Sequence, residues 1–187
     1  MSHTTVGVMR HFLVVFLLFS CVRAFKGYKT RRMSQIDAIG STAPSRSDIV
    51  EIRKNSPNVI LYDGVCNFCN TWVDILLRID VNKRYKFAAL QSDVGRSLLL
   101  DIGKDEDDIT SVLLITPDSY FEKSDCVLQV MRQLSLPAQL TCSALTNLVP
   151  LDARNGVYDM VAERRYDILG KRACRCSDPQ FTERFLQ

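Results

Sequence analysis

Asn58-Val-Ile-Leu-Tyr-Asp-Gly-Val-Cys-Asn-Phe-Cys-Asn-Thr-Trp72 is the stretch on which the reading of this chain turns. Val59 to Tyr62 is a compact β-prone run that stops at Asp63-Gly64, and it reads as a buried strand. From Cys66 to about Ile79 the period changes. Trp72, Leu76 and Ile79 fall at i, i+4 and i+7, with Val73 and Leu77 one residue over. Such a helix is apolar around most of its circumference and is expected to pack on more than one side. Cys66 and Cys69 sit at the strand–helix junction, one helical turn apart. There the free N–H groups and the positive end of the helix dipole favour a thiolate. In C-x-x-C pairs this lowers a thiol pKa from ~8.5 to ~3.5–7.5, enough to populate the nucleophile near neutral pH. Cys66 is thus the expected nucleophile, and Cys69, a turn deeper and shielded, the expected resolving thiol. Asn67 and Phe68 between them carry no charge to push the pair toward an oxidant.

The rest of the chain supplies a framework for that junction. Tyr85 to Leu90 read as a second strand, and Ser92-Asp93 cap a helix through Leu100 that Gly103 closes. Ser111 to Thr116 read as a third strand, Pro117-Asp118 as a turn, and Tyr120-Phe121 as a short fourth strand. Ser124 or Asp125 is placed to cap a helix from Val127 to Leu134. Pro137 and Pro150 bracket a short helix, and Asn155-Gly156 precede a last one, Val157 to Leu169, ended by Gly170. The order β-α-β-α-β-β-α plus C-terminal helices is that of a thioredoxin-like α/β domain, a mixed sheet flanked by helices.

Upstream of Asn58 the composition changes. Phe12 to Phe19 form an apolar run of eight residues, preceded by Arg10-His11 and followed by Ser20-Cys21-Val22. That is far short of the ~20 residues needed to span a bilayer, but it fits a signal-peptide core. Val22-Arg23-Ala24 is a candidate cleavage site. From Phe25 to Ser47 there are five basic residues, one acidic residue and six Ser/Thr, the composition of a transit peptide. The chain therefore divides into a signal-like segment 1–24, a transit-like or disordered leader 25–57, a domain 58–176 and a tail 177–187. A signal core followed by a transit-like stretch resembles the bipartite leaders that address plastids bounded by extra membranes. The alternative is the secretory pathway, with the basic stretch as a tail.

Composition removes several function classes. The 187 residues are 47% hydrophobic and 24% charged, which is ordinary for a globular chain. Nine Lys/Arg against three Asp/Glu lie before Asn58, and fifteen against eighteen lie from there on, so the basic surplus belongs to the leader. A nucleic-acid role thereby loses its electrostatic support. Both histidines, His3 and His11, lie in the leader, which removes Cys-His and Ser-His hydrolase mechanisms from the domain. No Gly-rich phosphate loop is present to hold a nucleotide or flavin, so no cofactor is expected. Reducing power would come from another thiol system, and the partners would be protein or small-molecule disulfides. Of the seven cysteines, an odd number, Cys21 lies in the signal-like segment, and Cys126, Cys142, Cys174 and Cys176 have no assigned purpose.

The residues leave alternatives open at the site. Cys66 and Cys69 could be unoxidised core cysteines, or could join Cys174 and Cys176 around zinc. Asp63 could relay a proton to or from Cys69. It could instead cap the helix by accepting from the N–H of Val65 or Cys66. A carboxylate beside a thiolate opposes its ionisation, so these roles pull apart. Trp72 reads as core.

Tyr62-Asp63-Gly64-Val65-Cys66-Asn67-Phe68-Cys69-Asn70 resembles the signature of the DCC family, named for its Asp-x-x-Cys-x-x-Cys motif. The resemblance continues through Phe87-Ala88-Ala89-Leu90-Gln91-Ser92, Ser124-Asp125, Val157-Tyr158-Asp159 and Arg165-Tyr166 to Cys174. It implies a thioredoxin-like thiol-disulfide oxidoreductase with reversible dithiol chemistry at Cys66 and Cys69. Of Arg164 and Arg165, only Arg165 matches the family; either could face the thiols, or both could lie on a solvated helix face. Cys126 stands where the family usually has Ala. Asp108-Ile109-Thr110-Ser111, ahead of the third strand, lacks the proline that thioredoxins place there.

Overall fold

The computed structural model describes residues 44–56, 58–172, 174 and 178–186. The signal-like segment 1–24 and residues 25–43 of the transit-like leader 25–57 lie outside the described residues, whereas residues 44–56 of that leader are described and carry a helix. The elements run α1 (Arg46–Asn55), β1 (Val59–Tyr62), α2 (Asn67–Ile79), β2 (Lys86–Ala89), α3 (Asp93–Asp101), β3 (Leu113–Ile115) and β4 (Tyr120–Glu122). Then follow α4 (Lys123–Arg132), α5 (Leu136–Leu148), α6 (Leu151–Leu169) and a 3-10 turn at Pro179–Arg184. The strands form one mixed sheet in the order β2-β1-β3-β4. β1 and β2 are parallel, with Tyr62 opposite Ala89, whereas β3 is antiparallel to both β1 and β4.

All four residues of β1 are buried, because the sheet is covered on both faces. The period of two sorts them. Ile60 and Tyr62 join Phe87, Ala89 and Leu114 under Val73, Leu76 and Leu77 of α2 and Val130 of α4. Val59 and Leu61 join Ala88, Leu113 and Ile115 under Val94, Leu98 and Leu99 of α3 and Ile49 of α1. The fold is the expected α/β mixed sheet flanked by helices, consistent with a thioredoxin-like architecture. Among the described residues, no helix is long and apolar enough to cross a membrane.

Gly95 sets how closely α3 approaches the sheet. A Cβ there would lie 2.0 Å from the carbonyl oxygen of Ala89, so only glycine allows the packing.

Several boundaries differ from expectation. On α2 the buried positions are Asn70, Val73, Leu76 and Leu77; Trp72 is only partly buried and Ile79 is exposed. The helix packs its buried side on the sheet and also lies against α6, so it is covered on more than one side, although not around most of its circumference. α4 begins at Lys123, ahead of Val127, and neither Ser124 nor Asp125 caps it. Asp125 pairs with Arg154 instead, and the Ser124 hydroxyl donates to Asn155 Oδ1 at 2.6 Å. α6 begins directly after Pro150 and runs through Asn155 and Gly156, which do not precede it. A buried helix face outweighs the breaking tendency of one glycine.

The fold also uses residues outside the limits of 58 and 176. Ser45 caps α1, whose Ile49 is in the core. At the other end Phe185 packs against Phe87 and Tyr62, with ring centroids 5.8 and 6.5 Å away. The Leu186 N–H donates to the Phe87 carbonyl at 2.8 Å. Arg184 donates to Asp80 Oδ2 at 2.6 Å and to the Tyr85 carbonyl at 2.7 Å, all out of contact with water.

Candidate functional site

The site is assembled where the parallel strands β1 and β2 end side by side. Asp63 and Gly64 follow β1, and Leu90 and Gln91 follow β2; parallel pairing brings these two exits together. Gln91 exploits this position. Its Oε1 accepts from the Gly64 N–H at 2.9 Å, and its Nε2 donates to Asp63 Oδ1 at 2.8 Å. Asn70, buried on α2, donates from Nδ2 to the carbonyls of Gly64 and Cys66, each at 2.7 Å. The turn carrying the first cysteine is thus tied to the neighbouring strand and to its own helix.

Cys66 is the N-cap residue of α2, with φ −83° and ψ 116°. Its Sγ accepts from the Cys69 N–H at 3.4 Å, the position that a Ser or Asp oxygen takes at other helix starts. The hydrogen bond from the Cys69 thiol, helped by the backbone N–H groups of Cys69 and Phe68, lowers the Cys66 pKa to about 7. Burial and the Asp63 charge work against this and are outweighed. The same thiol–thiol hydrogen bond pushes Cys69 strongly upward, since it keeps its proton to donate; burial adds to this, and Arg165 opposes it. One thiol is therefore disposed to ionise and the other to hold its proton. The exposures are the reverse of a simple shielding picture. Cys66 is 0% exposed, whereas Cys69 is half-buried.

Asp63, only 2% exposed, is the hub beneath the pair. Oδ1 accepts from the Val65 N–H at 3.1 Å as well as from Gln91, while Oδ2 accepts from Arg165 at 3.3 Å and from the Tyr166 hydroxyl. Arg165, 9% exposed, also donates to the carbonyls of Ile109 and Thr110 at 2.9 and 3.0 Å. It thereby holds the segment ahead of β3 against α6. Arg164, the next residue on the same helix, is exposed. The described residues contain no cis peptide bond.

Gln91, Asn70 and Tyr166 were not singled out as site residues in the sequence. Gln91 had a usable signal, since a residue just past a parallel strand lies beside the exit of its neighbour. Tyr166 had no local signal beyond the family motif it shares with Arg165, because its partner is 103 positions away.

The other thiols are scattered. Cys126 is wholly buried under the sheet, and burial pushes its thiol up. Cys142 is buried in α5, and burial raises its thiol too. Cys174 is exposed, with Sγ 3.9 Å from Gln91 Oε1. Cys176 lies outside the described residues. Among those residues, no group of three or more His, Cys, Asp or Glu side chains is placed to hold a metal ion.

A mixed sheet covered by helices, with a Cys-x-x-Cys opening the helix after its central strand, defines a thioredoxin-like α/β protein with a dithiol site. The chain belongs to the DCC1-like thiol-disulfide oxidoreductase family, which it matches over residues 60–171. It is 36% identical over 150 residues, 80% of this chain and 83% of the relative, to a DCC family protein of Arabidopsis thaliana named as chloroplastic. It is also 36% identical over 132 residues, 70% of this chain and 95% of the relative, to the uncharacterized protein YuxK of Bacillus subtilis. No solved structure gives a significant match.

Proposed function

We propose that this protein is an enzyme that exchanges electrons with disulfides through Cys66 and Cys69. The observation that carries this is the unequal pair: a Cys66 thiol with its pKa at about 7, hydrogen-bonded to a Cys69 thiol pushed strongly up. Cys66 attacks one sulfur of a substrate disulfide as the thiolate. A Cys66–substrate disulfide forms, and the other substrate sulfur leaves as a thiolate and takes a proton. That step removes the negative charge that held the Cys69 proton. Cys69 then loses its proton and attacks Cys66 Sγ, expelling the second substrate thiolate and closing a Cys66–Cys69 disulfide. Two electrons have passed to the substrate, and an external dithiol restores the pair. In this scheme Arg165 assists by favouring the Cys69 thiolate, and Asp63 positions the turn, its lone pairs being already engaged by four donors.

The full burial of Cys66 favours a second reading, a non-catalytic binding or scaffold module whose cysteines are structural or hold zinc. Titrating the protein across dithiol redox buffers, with alkylated cysteines mapped by mass spectrometry, separates the two. A two-electron transition confined to Cys66 and Cys69 is the expected result. Thiols that show no transition and resist alkylation until a chelator is added would replace the enzyme with the module.

We place the protein in the plastid, on the composition of its leader and the name of the Arabidopsis relative. A fusion of residues 1–57 to a fluorescent protein, expressed in cells with complex plastids, tests this against secretion.

A further inference from the structure

The segment that leaves α6 returns across the dithiol. Gly170, with φ 74°, turns the chain out of the helix, a conformation that suits glycine. Lys171 then forms an isolated antiparallel bridge with Cys66. Its flanks complete the pairing: the Arg172 N–H donates to the Val65 carbonyl at 3.0 Å, and the Asn67 N–H donates to the Gly170 carbonyl at 3.3 Å. Asn67 Nδ2 reaches the Leu169 carbonyl at 2.9 Å, and the Lys171 ammonium sits 4.1 Å above the Tyr166 ring. An extended piece of chain therefore already lies against the nucleophile, and Cys66 is wholly closed off from solvent. Lys171 and Arg172 are themselves exposed, and backbone hydrogen bonds at such positions are the ones that open locally while the core stays folded. On the other side of the site, the Ile109 and Thr110 carbonyls already accept from Arg165.

We propose that Gly170–Arg172 is an internal stand-in for the substrate. An extended polypeptide segment bearing the reactive disulfide takes the same antiparallel place against Val65–Asn67 once the strap has lifted away. This rests on Cys66 being the attacking thiol, and it names the substrate class as disulfides within extended protein segments. A small disulfide without a peptide backbone cannot replace the strap's main-chain bonds, so it reacts only during spontaneous opening.

Arg172→Pro in the full chain removes the N–H that bonds Val65 and leaves the dithiol untouched. Iodoacetamide should then alkylate Cys66 of the reduced protein about fivefold faster, the equivalent of one exposed backbone hydrogen bond. An unchanged rate in a folded variant would overturn the inference. A second measurement avoids dependence on that variant's folding. Hydrogen exchange at the Arg172 amide is followed in Cys69→Ser protein carrying either a cysteine peptide or a 2-mercaptoethanol group on Cys66. Exchange should quicken in the peptide adduct beyond the small adduct; equal protection in the two would refute the stand-in. The redox titration fails independently. If Cys66 and Cys69 show no two-electron transition while both strap results hold, the strap is real but the oxidoreductase reading is lost.

Discussion

Asp63 and Arg165 stand 102 residues apart in the chain, and their carboxylate and guanidinium meet at 3.3 Å beneath the dithiol, both buried. This contact joins the end of β1 to α6. Through the remaining Arg165 donors it also joins the segment ahead of β3. Three parts of the chain that border the thiols are thus held by one ion pair.

Removing one member of that pair should be costly. Asp63→Asn keeps the shape but leaves the Arg165 cation buried without its counter-charge, at a cost of about 3–5 kcal/mol. Urea unfolding would show it, and a second change, Arg165→Met, should recover part of the loss. The same variant removes a charge that raises the Cys66 pKa, so its midpoint for alkylation should move to lower pH. A purely structural Asp63 would leave that midpoint in place.

The pH dependence of Cys66 follows from its pKa of about 7. Alkylation in the strap-opened variant should rise about tenfold between pH 6 and pH 8, following the thiolate fraction. The group's folded pKa lies below its unfolded value, so its contribution to stability is present above the unfolded thiol pKa. That contribution is lost as pH falls through about 7. Reduced wild-type protein should therefore gain stability over Cys66→Ser between about pH 7 and the ordinary thiol pKa of ~8.5. Urea midpoints of the two across that window check the sign.

The C-terminal end should behave as core. Arg184→Ala leaves Asp80 buried without its partner and should cost about 3–5 kcal/mol, read by thermal or urea unfolding. Cleavage of the chain after residue 176 should be worse still, since it also withdraws Phe185 from Phe87 and Tyr62.

Gly95→Ala should destabilise by at least about 1–3 kcal/mol, because the added methyl meets the Ala89 carbonyl at 2.0 Å and α3 must move. Gly156→Ala is the matched control. Its Cβ meets nothing within 4 Å, so a helix stabilised by about 0.5–1 kcal/mol is expected.

Much of this protein was settled by interactions between residues close in sequence. The apolar run Val59–Tyr62, the turn at Asp63-Gly64 and the helix bearing Cys66 and Cys69 all follow from period, capping and turn chemistry acting over a few positions. The alternation of strands and helices then restricts the sheet to few arrangements. Tertiary packing decided the rest. Whether Arg164 or Arg165 faced the site depended on how α6 was rotated against α2, which no local pattern in Val157–Leu169 specifies. Asp63 acquired its partners only when residues 91, 165 and 166 arrived around it. The helix Arg46–Asn55 falls in the stretch read as a transit-like or disordered leader, and the turn Pro179–Arg184 in the stretch read as a tail. Only the folded chain shows that Ile49, Arg184 and Phe185 fill places that nothing nearby in sequence could fill.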